Sequence, residues 1–206
     1  MVIFGSQAQR SYEFKSAVPP EGELVKTVDP TLFGVYKNAE TGTEFVLNAE
    51  GISMVTIINS YITREQVRET SKYQVRNGYL FGVKENDSIP CIEEGDKYFF
   101  GIRHKINLND AEHKALIKKI SAQSYMLNFI ETKGYSPSLI TFKGNAMQIQ
   151  HFTYPGEAEK LFRVINKQEK SKETSYDLIL LSPNQKEWNK LDKNQIFDSD
   201  IIFQKL

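Results

Sequence analysis

The sequence predicts a mainly β protein, built as an antiparallel meander and curling into a partly closed barrel or two packed sheets. Short runs of β-branched and aromatic residues recur along the chain, separated by Gly, Asn, Asp and Pro punctuation. Long connections of the kind that parallel strands require are scarce. Helical periodicity surfaces in only two or three places, too few and too irregular for a doubly wound sheet.

Residues 1–30 read as an N-terminal arm. Pro19, Pro20 and Pro30 remove ladder donors, so one edge strand around Tyr12 and Phe14 is all the arm is expected to hold. Within it, residues 1–8 resemble the remnant of a signal peptide. Val2, Ile3 and Phe4 are apolar, and Ser6 and Ala8 occupy the small-residue positions of a cleavage site. A basic segment and a full apolar stretch are absent from these residues. The localisation expected from this is periplasmic or secreted, with the cytoplasm as the alternative.

A first β half spans 31–108. Leu32 to Lys37 and Glu44 to Leu47 form a hairpin about a turn at 38–42, and Gly51 opens the run GISMVTIINSY. Both faces of that third strand are substantially apolar, which predicts a central strand covered on both sides. Its exit is well signalled. Thr63 followed by Gln66 makes a capping box, and Ile62 with Val67 a hydrophobic staple, so a short helix is expected over 64–70. Asn77-Gly78 lies between two β-prone runs and specifies a type I′ hairpin, because both central residues need positive φ. Ile89 to Ile92 and Lys97 to Ile106 complete this half.

The second half, 109–206, is expected to pack with the first into one compact unit. A capping-box pattern at Asn109 to Glu112 predicts a helix near 110–120, and Ala158, Leu161, Phe162 and Ile165 at helical spacing predict another over 157–168. Strands are expected at Tyr125 to Ile130, Ser138 to Phe142, within Gly144 to Tyr154, at Tyr176 to Leu181 and at Ile196 to Phe203. Residues 166–175 read as a mixed-charge loop, and Trp188 falls in a polar connection. The run GNAMQIQHFTY from Gly144 to Tyr154 has the outline of GISMVTIINSY and is likewise followed by a helical pattern. Element order thus raises an internal duplication of the two halves as the alternative to a single continuous antiparallel sheet without ancestral symmetry, which the scarcity of identities favours.

Function is constrained mostly by exclusion. The 26 basic residues balance 26 acidic ones, so no phosphate-backbone footprint is expected and nucleic acid is set aside as a partner. No window approaches the apolar length of a membrane helix, so no integral membrane segment is expected. Cys91 is the lone cysteine, which precludes an internal disulfide and a thiolate zinc site. Phosphate loops, nucleophile elbows and metalloprotease motifs are all missing. Catalytic residues, metal ligands and cofactors are accordingly assigned to none. Asn86-Asp87-Ser88 is a formal glycosylation sequon read as a plain polar turn, and Asp87, Glu93, Glu94 and Asp96 as a solvated hairpin. His104 and His113 share no ligand spacing. The residues selected for ligand binding are Tyr79, Phe81, Tyr98 and Phe100, aromatics on adjacent strands, together with His151 near Tyr154. The expected function is non-enzymatic. It is an envelope or secreted binding protein that takes an apolar small molecule, a glycan or a partner protein on a sheet surface or barrel mouth. A hydrolase-like enzyme with dispersed site residues and a cytoplasmic interaction or structural protein are the alternatives.

Overall fold

The computed structural model describes residues 9–83, 88–109, 115–154, 158–172 and 176–206. Residues 1–8, the Asn86-Asp87 pair of the sequon, His113 and the first part of the helix expected near 110–120 lie outside them. In chain order the described elements begin with β1 (Gln9–Phe14), β2 (Glu23–Val25), β3 (Gly34–Lys37), β4 (Glu44–Asn48), β5 (Gly51–Thr63) and α1 (Arg64–Glu69). Then come β6 (Gln74–Arg76), β7 (Tyr79–Phe81), β8 (Ser88–Glu94) and β9 (Lys97–Asn107). A second set of strands follows: β10 (Leu116–Ser121), β11 (Ser124–Ile130), β12 (Tyr135–Lys143) and β13 (Ala146–Phe152). The chain finishes with α2 (Ala158–Phe162), β14 (Gln168–Lys172), β15 (Tyr176–Leu181), α3 (Gln185–Lys190), α4 (Lys193–Ile196) and β16 (Phe197–Lys205).

The protein is mainly β, as expected, and its strands join one antiparallel sheet that does not close into a barrel. The main path runs β2-β10-β11-β12-β13-β16-β3-β4-β5-β9-β8-β7-β6, and β1-β15-β14 branches from the start of β12. The sheet curls so that β2 returns toward the β4–β5 turn. There side chains stand in for a ladder: Thr27 Oγ1 donates to the Asn48 carbonyl at 2.8 Å, and Asn109 Nδ2 to the Lys26 carbonyl at 3.2 Å. Asn109 fills the space that Gly51 leaves open. A Cβ on Gly51 would stand 2.2 Å from Asn109 Oδ1, and the φ of 144° is one that L side chains rarely adopt.

Two cores sit on opposite faces of β11 and β12. Inside the curl, Tyr36, Leu47, Ile52, Ile117, Tyr125, Leu127, Ile140, Phe142 and Met147 are buried together. On the other face Tyr12, Phe14, Met126, Phe162, Leu181, Trp188 and Phe197 pack beneath the short helices α2 to α4. The alternation Tyr125, Met126, Leu127 divides one strand between both cores, as a two-residue side-chain period requires. Asn128 is the polar exception. Fully buried, it accepts from Val18 N–H at 2.8 Å and donates to the Val18 carbonyl at 3.0 Å, which ties the Pro-rich segment to β11.

Several expectations are corrected. β1 is no edge strand: it lies between β12 and β15, with Phe14 buried, and it pairs with β15 in parallel. Its two partners are made far away in the chain, so local sequence carries no sign of them. Leu116–Ser121, expected to be helical, is strand β10, because β11 and β2 supply ladders on both of its edges. The helix of 157–168 is shorter, Ala158–Phe162, and the supposed loop after it holds β14. Gln168 Nε2 donates to the Phe162 and Ile165 carbonyls at 2.8 and 2.9 Å and so closes the end of α2. The connection around Trp188 is two helices, the first opened by a reciprocal capping box between Asn184 and Glu187. The duplication is not shown. β3-β4-β5-α1 and β11-β12-β13-α2 share an order, yet β5 continues into β9 whereas β13 pairs onward with β16.

The local predictions with the strongest chemistry hold. Thr63 and Gln66 form both bonds of the capping box at the start of α1. Asn77 and Gly78 have φ of 51° and 77°, the two positive values of a type I′ turn joining β6 to β7. The central-strand expectation for β5 holds over part of its length. Gly51 to Val55 are covered, but Ile57, Ile58 and Tyr61 are exposed, since the strand runs on past the body of the sheet.

Candidate functional site

That overrun builds an arm. β5 and β9 pair without interruption from Ser53 opposite Asn107 to Thr63 opposite Lys97, and β8, β7 and β6 extend the sheet sideways. One face of the arm carries a small core of its own, in which Ile62, Leu80, Ile89 and Phe100 are buried and Val67 of α1 packs against them. The other face is open. Tyr61 stands opposite Phe99, Phe99 opposite Ile92, and Pro90 opposite Tyr79, so one row crosses four strands. Ile92 is 74% exposed and Tyr61 54%, and Ile57, Tyr79, Phe81 and Phe99 are exposed beside them. Soluble proteins seldom leave so many large apolar side chains contiguous in water unless the patch binds something.

Charge frames the row. Lys97 Nζ lies 4.3 Å from the centre of the Tyr61 ring, and the Tyr61 and Phe99 rings are 5.9 Å apart. By strand alternation Arg103 and Lys105 of β9 and Arg76 of β6 share this face, with Glu94 at its tip. Glu44, almost buried, takes Arg103 Nη2 at 2.5 Å and Lys37 Nζ at 3.4 Å, so its charge is already engaged.

A hollow of about 420 Å³ opens within the row, lined by Asn59, Pro90, Ile92, Phe99 and Gly101. Its cause can be read from hydrogen bonding. In the β8–β9 ladder Glu94 and Lys97 flank a two-residue turn, so every second pair from there exchanges backbone bonds; after Ile92 with Phe99 the next would be Pro90 with Gly101. Pro90 has no N–H to give. β8 therefore leaves β9 at this point and pairs with β7, while the Cys91 N–H donates to the Gly78 carbonyl at 2.8 Å.

The five residues selected from sequence separate on the structure. Tyr79 and Phe81 lie on the open face. Phe100 is buried on the opposite face, in the arm's small core, and Tyr98 packs half-buried against that core. His151 is on β13, separated in the sheet from β5 by β16, β3 and β4. It shares a hydrogen bond of 2.9 Å with buried Ser138, and loss of solvent around the ring lowers its pKa although the residue keeps an exposed side. The selected set leaves out Ile57, Tyr61, Ile92 and Phe99, which lie on the open face. The usable signal was the strand GISMVTIINSY itself, whose apolar residues on both faces exceed what one body can cover.

Elsewhere the reactive groups are occupied structurally. Cys91 points toward the arm's core, and burial followed by the nearby Glu93 charge raises its pKa, the reverse of an activated thiol. Burial lowers the Lys193 pKa to about 8, but its ammonium donates to the Trp188 and Leu191 carbonyls at the end of α3 and lies 3.9 Å from the Trp188 ring. A second hollow, of about 540 Å³, is bordered by Lys118 and Glu187. Lys118 Nζ holds the Pro19 and Pro20 carbonyls at 2.8 and 3.1 Å, and Glu187 accepts from the Asn166 and Asn184 N–H groups at 3.2 and 2.9 Å. Both groups fasten loops. Among the described residues no three His, Cys, Asp or Glu side chains converge as metal ligands, and no helix is long and apolar enough to cross a membrane. No protein-family model matches the chain, and no curated protein or solved structure matches it significantly.

Proposed function

We propose that this protein is a non-enzymatic binding module of the cell envelope or exterior, and that it docks a partner protein on the open face of the β5–β9 arm. The observation that carries the reading is the exposed row of Tyr79, Pro90, Ile92, Phe99 and Tyr61 across the strands of the arm. Aromatic anchors with flanking Arg and Lys are the composition of interface hot spots. A small apolar ligand fits less well, since the hollow beside Gly101 is wide open and encloses little. A glycan fits less well too, because Ile57 and Ile92 offer no stacking face. The envelope setting rests on the residues 2–8 pattern alone.

The test replaces Ile92 with a photo-crosslinking amino acid in the host cell and identifies the protein captured there. With the two components purified, Ile92→Asp is expected to weaken binding at least about tenfold, about 1.4 kcal/mol. Unchanged affinity on Ile92→Asp sinks the reading, as does a hydrophobic small molecule retained in native mass spectra and released by that substitution.

A further inference from the structure

We propose that the hollow at the carboxyl ends of β1 and β15 binds a small organic monocarboxylate, with Lys118 as its anchor. None of the residues that line it belongs to the arm, so the inference stands apart from the docking reading.

Topology opens the space. β1 and β15 run parallel, and their register ends with Phe14 beside Leu181. From there the chains part. Residues 16–20 cross toward β11, where Asn128 holds Val18, while Ser182 and Pro183 lead to Asn184, the cap of α3. Chains that diverge from the carboxyl ends of adjacent parallel strands leave a crevice between them. Pro20 and Pro183 border it, and neither has an N–H with which to bond the two chains together. The hollow of about 540 Å³ is of the size that small-molecule sites have.

Lys118 reaches this space through the alternation of β10. Ile117 points into the core inside the curl, so Lys118 points to the opposite face, as does Met126, its partner on β11. The side chain is half-buried. Its ammonium carries three N–H donors. The Pro19 and Pro20 carbonyls take two of them, at 2.8 and 3.1 Å, and no acceptor among the described residues takes the third. Burial lowers the Lys118 pKa, as it does for a cation whose lost water has not been replaced by an opposite charge.

The charges around the hollow select the ligand. Lys167 borders it too, exposed and without an ion pair among the described residues. Glu187 is the one carboxylate among the lining residues, and it is committed to the backbone and side-chain amides of Asn166 and the N–H of Asn184. Two ammonium groups against one carboxylate leave a single positive charge to balance, which suits a monoanion. A cation would meet both lysines, and a phosphate dianion brings more charge than the site offsets. Val18, Pro20 and Pro183 supply apolar wall for a short hydrocarbon body.

The experiment titrates the full, isotope-labelled chain with sodium acetate, butyrate and benzoate. Butylammonium chloride and sodium phosphate at matched ionic strength are the controls. Amide NMR measures binding, and the lysine side-chain carbons report the titration of each ammonium. At least one of the acids is expected to shift the amides of Ala17, Val18, Lys118 and Ser182 saturably, while the controls do not. Filling the site should raise the Lys118 midpoint, since an anion beside an ammonium favours its charged form. Lys118→Met is expected to weaken binding at least about tenfold. Because that change also frees the Pro19 and Pro20 carbonyls, Lys167→Gln, which leaves them held, is the second variant, with an expected loss of about threefold. Absence of saturable shifts with all three acids would overturn the inference, as would equal or tighter binding of phosphate or butylammonium. So would a Lys118 midpoint that stays in place at saturation, or affinity unchanged in Lys167→Gln.

Discussion

At the scale of single residues, His151 carries a consequence of burial that can be measured. Its pKa is lowered by desolvation, with Ser138 as its hydrogen-bond partner. A folded-state pKa below the ordinary value of about 6.5 means that the unfolded chain binds more protons in the window between the two. The stabilising contribution is therefore complete above about pH 6.5 and is lost as pH falls toward the folded-state pKa. Thermal midpoints measured from pH 7.5 down to 5 should decline through that window, and His151→Asn should decline less steeply. Parallel curves would contradict the assignment. The residues of the open face were only half legible. Tyr79 and Phe81 could be selected as aromatics on adjacent strands, but which face each occupies depends on register. One position of slip exchanges Tyr98 and Phe100 for Phe99.

At the scale of elements, what could be read was whatever is determined by neighbours in sequence. The capping box of Thr63 and Gln66 and the Asn77-Gly78 turn satisfy their own backbone groups within a few residues, and both stand where expected. β10 and β14 could not be read although each pairs with the strand that follows it, because Lys118 and Lys119 in β10 and the polar run Gln168–Lys172 of β14 carry no β-prone pattern of their own. The same contrast gives a measurable outcome for α1. Thr63→Ala removes the acceptor for the Gln66 N–H at 3.1 Å and should cost about 1 kcal/mol, with increased exchange confined to α1 and the segment after it. A loss of protection that spread into β11 and β12 would show that the cap does more than hold its helix. Pro90 belongs at this scale too. Read from sequence it is an irregularity inside a β run; in the ladder it is the residue that releases β8 from β9.

Across the whole molecule, three cores are distributed unequally. The two that flank β11 and β12 share strands, whereas among the described residues the arm's core around Leu80 and Phe100 is joined to the body through β5 and β9. The arm should consequently open on its own. Leu80→Ala is expected to cost about 2–5 kcal/mol locally, raising exchange in β6, β7 and β8 while leaving β12 and β13 protected. Ile140→Ala, at the centre of the curl, should lower protection in both regions, and identical exchange maps for the two variants would refute the division. The mainly β antiparallel character was legible from composition and punctuation. Closure was not, since whether a curling sheet meets itself depends on its summed twist, which no short window records.

The parallel pairing of β1 with β15 also bears on how the protein is made. Gln9 aligns with Tyr176 and Phe14 with Leu181, so β1 leaves the ribosome long before the strand it pairs with. Contacts of such separation are slow to form, and until they do Tyr12 and Phe14 remain uncovered on a nascent chain. Synthesis that stalled before Tyr176 would release a polypeptide in which β1 lacks its parallel partner and Tyr12 and Phe14 lack part of their cover. Shielding Tyr12 and Phe14 until β15 has been made is therefore something that biosynthesis of this fold must accommodate.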